Sequence, residues 1–128
     1  MSYGVLGALS GLIAVLAGAF GTHALRGRLE PGMLLVFDTA ARYQMFHALA
    51  LVAVWLAEGR GRPVPLMLAG ALFGFGTLLF SGSLYVLALT GARAWGAVTP
   101  FGGLCLMAGW VSLAVAVANR RGHRAGLV

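Results

Sequence analysis

Of 128 residues only 9% are charged and 60% are hydrophobic, with a mean hydropathy of +0.92, whereas water-soluble domains carry about a quarter charged residues. That balance excludes an ordinary soluble enzyme and points to an integral membrane protein. The net charge of +6 comes from arginines that lie mostly at the ends of apolar runs, with no aromatic-interleaved basic patch, so it indicates headgroup contact and topology and argues against a nucleic-acid partner.

Four apolar segments follow in chain order, over residues 3–25, 33–57, 64–90 and 99–118, each near the ~20 residues needed to cross the hydrocarbon core. The first lacks the basic start of a cleaved signal peptide and is read as a membrane helix. Glu30-Pro31-Gly32 breaks the chain before the second segment, and Glu58 to Pro63 is a polar connection before the third. A brief loop with Arg93 and Trp95 leads to the fourth, where Thr99 reads as an N-cap and Pro100 as the first-turn proline. Connections this short make successive helices antiparallel neighbours, so the expectation is all-α: an integral membrane antiparallel four-helix bundle forming one transmembrane domain over residues 1–128.

Three of the segments carry stripes of small residues. Gly4, Gly7, Ala8, Gly11, Ala14, Gly18 and Thr22 share one side of the first helix. Gly70, Gly74, Thr77, Ser81, Tyr85 and Ala88 do so on the third, and Gly102, Cys105, Gly109, Ser112 and Ala116 on the fourth. Such stripes allow close helix contact where lipid removes the hydrophobic drive, and they leave room for a homo-oligomer. Cys105 has no partner for an internal disulfide and reads as a small buried packing residue.

The second segment, FDTAARYQMFHALAL over residues 37–51, departs from this pattern. Asp38 and Arg42 lie four apart on one face, while Thr39, Tyr43 and His47 line the nearly opposite one. Polar groups at membrane depth must be satisfied by neighbouring helices or water, so this helix is expected among the others. With the N-terminus, second loop and C-terminus on one side, Arg60, Arg62, Arg120, Arg121 and Arg124 face Arg26, Arg28 and Arg93 on the other. That bias puts both termini in the cytoplasm. His23, residues 38–47, Ser81, Ser83, Tyr85 and Thr99 then share the outer half of the bilayer, and His47 and Ser81 each lie roughly 14 Å in from their helix ends, at similar depth.

His23 and His47, with Met45, match no metal-motif spacing, so no cofactor or metal is assigned, although imidazoles on neighbouring helices keep a haem or metal site as an alternative. Proton or ion transport through His47 and Tyr43 is the other alternative, and it lacks a visible continuation through the apolar half. Asp38 and Arg42 read as an interfacial ion pair, or, with Arg26 or Arg28, as a phosphate holder. Ser81 and Ser83 lack the flanking glycines of a nucleophile elbow, and the TPFGG run at residues 99–103 lacks the context of a phosphate loop. No enzyme is expected.

GAFGTHAL (18–25), FDTAARYQMFHALAL (37–51), LFSGSLYVLALTG (79–91) and TPFGG (99–103) followed by Gly109 and Trp110 together resemble the YgdD-like family of small bacterial inner-membrane proteins, with Asp38 where that motif more typically has Glu. The resemblance implies a four-helix plasma-membrane protein without an assigned reaction. Its motif residues are His23, Asp38, Arg42, Tyr43, Gln44, His47, Ser81, Ser83, Tyr85, Thr99 and Pro100. The reading that joins both lines is a non-enzymatic accessory protein that uses this polar cluster to hold a membrane lipid, a quinone-like amphiphile or a membrane-protein partner.

Overall fold

Ser2 starts the first span, α1 (Tyr3–Leu25), by accepting the Val5 amide on its hydroxyl at 3.4 Å. The computed structural model describes residues 2–59 and 63–125, and within them the side chains of all but Phe20, Thr22 and residues 120–125. Tyr3–Leu16 is α-helical, Ala17–Gly21 widens into a π-helical turn, and Thr22–Leu25 closes the span. The π turn has no periodic signature in the sequence. There Gly21 lies against the Phe37 ring of the next span, so closely that a Cβ would come within 2.7 Å of it.

The second span, α2 (Pro31–Glu58), begins two residues before the expected start. Pro31 occupies the first helical turn, where its missing N–H has no helical partner to lose, so the breaker at residues 30–32 opens the helix. The third, α3 (Val64–Thr90), ends at Gly91, whose φ of 69° lets its N–H reach back to the Leu87 carbonyl at 2.8 Å. A 3-10 turn at Arg93–Ala97 leads into α4 (Thr99–Ala125). That helix outruns the expected end at residue 118, because apolar patterning marks only the stretch inside the hydrocarbon and polar residues continue a helix beyond it.

Thr99 is not the cap it was expected to be. The Val98 carbonyl accepts the Phe101 and Gly102 amides, and the Thr99 hydroxyl turns to α3, 2.8 Å from the Ser83 hydroxyl. Cys105 is half-buried rather than buried.

All four spans are long and apolar enough to cross a membrane, and the described residues contain no strand, so the fold is an all-α membrane bundle of antiparallel helices. Its extensive interfaces join successive spans: α1 to α2, α2 to α3 and α3 to α4. Ala50, Leu51 and Val54 of α2, Leu66, Ala69 and Phe73 of α3, and Leu106 and Ala116 of α4 form the core. This core occupies the half of the bundle holding the C-terminal end of α2, the half that also holds the buried Glu58 and Ser112. Arg60 and Arg62 lie outside the described residues, as do the side chains of Arg120, Arg121 and Arg124, on which the expected orientation rests.

Glycines carry much of the close approach. A Cβ on Gly7 would stand 2.7 Å from the Ala48 carbonyl, one on Gly76 2.8 Å from Leu106, and one on Gly102 would strike the Phe80 backbone. α1 meets α3 where Tyr3 lays its ring on Gly70 and donates its hydroxyl to the Met67 carbonyl at 3.0 Å, with Leu6 beside Gly74 one turn on. Beyond that clasp their lengths are separated by α2, and the space between them is the candidate site.

Candidate functional site

Gln44 stands near the middle of α2 and bridges both flanking spans. Its amide nitrogen donates to the Ser10 carbonyl of α1 at 3.1 Å, with the Ser10 hydroxyl at 3.4 Å, and its oxygen accepts the Tyr85 hydroxyl of α3 at 2.9 Å. The amide orientation is fixed chemically, since a carbonyl can only accept. Tyr85 is further held edge-on by Phe37, with ring centroids 5.0 Å apart.

Over this bridge lies a cleft of about 520 Å³ between α1 and α3, with α2 as its floor. Leu6, Leu9, Ser10 and Ile13 line it from α1, and Gln44 and Leu51 line it from α2. From α3 come Gly74, Thr77, Leu78, Ser81, Gly82 and Tyr85. The volume falls in the range of small-molecule sites, and the lining is apolar with a few polar groups, as such sites usually are. These positions fall toward the middle of α2 and α3 and in the N-terminal half of α1.

Two of the polar groups have no protein partner. Thr77 is 8% exposed and Ser81 2%, and the hydroxyl oxygens of both are buried without a hydrogen bond. Helical hydroxyls ordinarily bond back to the preceding turn. Thr39 does so to Leu35, Thr90 to Val86 and Ser83 to Phe80. Thr77 and Ser81, one turn apart on the cleft wall, do not.

His47 belongs to a different environment, between α2 and α4. Its Nδ1 lies 2.7 Å from the Tyr43 carbonyl and its Nε2 lies 3.2 Å from the Trp110 indole nitrogen. A carbonyl accepts and an indole N–H donates, so His47 carries its proton on Nδ1 and accepts at Nε2. Both ring nitrogens are thereby committed, and Phe73, Tyr43 and Trp110 surround the ring. His47 meets Phe73, while Tyr43 lies level with Phe80, so His47 is roughly one to two turns deeper than expected relative to Ser81.

The remaining polar residues separate further. Arg42 and Asp38 pair at 2.6 Å, with side chains 62% and 34% exposed, away from both groups. Tyr43 is exposed and packs on Phe80. Ser83 and Thr99 tie α3 to the start of α4, and His23 is exposed in the last turn of α1. The single outer-half cluster expected from the sequence therefore resolves into separate groups. Gln44, Ser81 and Tyr85 converge on the cleft, whereas His23, Asp38, Arg42, Tyr43, His47, Ser83 and Thr99 do not line it. The physical reason is that polar groups on opposite faces of one helix meet different neighbours. No group of three or more potential metal ligands occurs among the described residues.

Ser10 and Thr77 are the polar cleft residues that sequence reasoning left out of the site. The signal was present on α3, where Thr77, Ser81 and Tyr85 repeat every four residues as a polar row on an apolar helix, but it was read as packing.

The family model described as "Protein of unknown function (DUF423)" matches residues 17–103, which include every cleft residue of α2 and α3 but not Ser10 or Trp110. The UPF0382 membrane protein SERP0230 of Staphylococcus epidermidis is 42% identical over 118 residues, covering 92% of this chain and 96% of that protein. The UPF0382 membrane protein YwdK of Bacillus subtilis is 42% identical over 116 residues, 90% and 94% of the two chains. The UPF0382 inner membrane protein YgdD of Escherichia coli K12 is 40% identical over 114 residues, 87% and 85%. No solved structure matches the chain. With the family model spanning most of the sequence and relatives matching along nearly their whole length, this chain belongs to the DUF423 family of membrane proteins, the YgdD-like family its motifs resemble.

Proposed function

We propose that the protein is a non-enzymatic accessory protein of the bacterial inner membrane that binds a lipid-like amphiphile in the cleft between α1 and α3. The observation that carries this reading is the pair of buried, unpartnered hydroxyls on Thr77 and Ser81 in an otherwise apolar cavity. Leaving such groups unsatisfied costs roughly 1–3 kcal/mol each, a cost that a ligand oxygen would remove. The cleft lies at mid-span, so its mouth faces acyl chains, and a molecule entering from the bilayer needs an apolar body with a hydrogen-bonding part. The name of the Escherichia coli relative, an inner membrane protein, supports placement in the inner membrane.

His47 offers little to a haem, metal or proton-relay reading, since its ring nitrogens are committed to Tyr43 and Trp110. The arginine distribution favours cytoplasmic N- and C-termini. Cysteines introduced at Arg93 and at Arg124 in the Cys105→Ala background test this, with a membrane-impermeant maleimide expected to label only the former in intact cells; labelling only at 124 would reverse the orientation.

Native mass spectrometry on protein extracted in mild detergent tests the binding proposal. Retention of a small amphiphile that survives gentle activation is expected. Protein that flies free of any adduct across detergents and lipid nanodiscs contradicts it.

A further inference from the structure

The chemistry of the cleft wall narrows the ligand. No charged residue lines the cavity among the described residues, so a phosphate or carboxylate head would be buried there without a counter-charge, at high cost. Set into the wall instead are two buried, unpartnered hydroxyls one helical turn apart, at a rise of about 6 Å along α3. That is the scale of the distance between the opposed carbonyl oxygens of a six-membered dione ring. The Gln44 amide is already occupied by Ser10 and Tyr85 and the Ser10 hydroxyl accepts from it, which leaves Thr77 and Ser81 as the hydroxyls with no bond to protein.

We infer that the cleft receives the head of an uncharged quinone-class lipid, with its two ring oxygens on the Thr77 and Ser81 hydroxyls and its chain among Leu6, Leu9 and Ile13 of α1. This rests on the amphiphile-binding reading above and adds the class of head. A ring lying flat along α3 is compatible with Gly74 and Gly82, which keep that wall low; a Cβ on Gly82 would meet nothing within 4 Å. Hydroxyls both donate and accept, so the wall also suits the reduced diol form of the ring.

Protein in phosphatidylcholine nanodiscs is titrated separately with decyl-benzoquinone and with phosphatidylglycerol. The expected result is saturable binding of the quinone, insensitive to salt. Thr77→Val and Ser81→Ala are each expected to weaken it about three- to tenfold while leaving the unfolding temperature of the ligand-free protein unchanged or raised, since neither hydroxyl bonds to protein. Quinone binding that is unaltered in both variants overturns the inference, and so does a fall in ligand-free stability that accompanies the loss, because the hydroxyls would then be structural. Retention of phosphatidylglycerol but not the quinone overturns the head class and leaves the amphiphile reading intact. Retention of neither overturns both.

Discussion

Individual polar side chains in this protein include those bonded to other spans, those facing outward and the buried, unbonded hydroxyls of Thr77 and Ser81, and the difference sets what their removal should do. Buried His47 of α2 accepts the indole N–H of Trp110, which lies half-exposed on α4, and Trp110→Phe keeps an aromatic ring while stranding His47 Nε2. A loss of about 1–3 kcal/mol is expected, the cost of a buried polar group left unpaired. Arg42 carries a formal charge in a membrane segment, yet it is 62% exposed and bonded to its own helix, so Arg42→Ala should change stability by no more than about 1 kcal/mol. Unfolding of both variants in detergent micelles checks the ranking, and a larger loss for Arg42→Ala would reverse this assignment. The sequence put Arg42, Asp38 and His47 in one cluster because the deduced topology places them in the same half of the bilayer. What it could not show is which neighbour each face of α2 meets, and Gln44, chemically the plainest of the group, proved to be the residue that joins three spans.

Between elements, the contacts depend on where a glycine faces backbone and where it faces open space. At Gly102 an added methyl would strike the Phe80 backbone, which cannot move aside as a side chain can. Gly102→Ala should therefore separate α3 from α4 and destabilise by about 1–3 kcal/mol, outweighing the roughly 1 kcal/mol that alanine adds to helix propensity. Gly11→Ala, whose nearest neighbour would be Ala48 at 3.7 Å, is expected to be neutral or slightly stabilising. Chemical denaturation of the two proteins side by side reads the contrast, and equal effects would contradict it. The four spans were legible because hydropathy and length suffice to find them. The π turn at Ala17–Gly21 and the helical use of Pro31 were not, since both are settled by contacts and backbone geometry that a hydropathy profile does not contain.

Across the whole molecule, the successive packing of spans is what creates the cleft. A bundle in which α1 closed fully on α3 would have filled the cleft; here α1 meets α3 through the Tyr3 clasp and then lies on α2, leaving the two buried hydroxyls set into the cleft wall without a protein partner. Chain order and loop length made the antiparallel arrangement readable, but not the gap between alternate spans, which depends on how far the Tyr3 ring and the Gln44 bridge hold them apart. The central claim is that this gap is a binding site and not a packing defect. Gly82 offers the direct test, because a side chain there projects into the cleft without touching protein. Lipid recovered per mole of purified protein, measured by organic extraction and mass spectrometry, should show a stoichiometric species in wild type that is lost in Gly82→Leu, with the unfolding temperature maintained or raised. Equal recovery from the two proteins, or no enriched species in wild type, would contradict it.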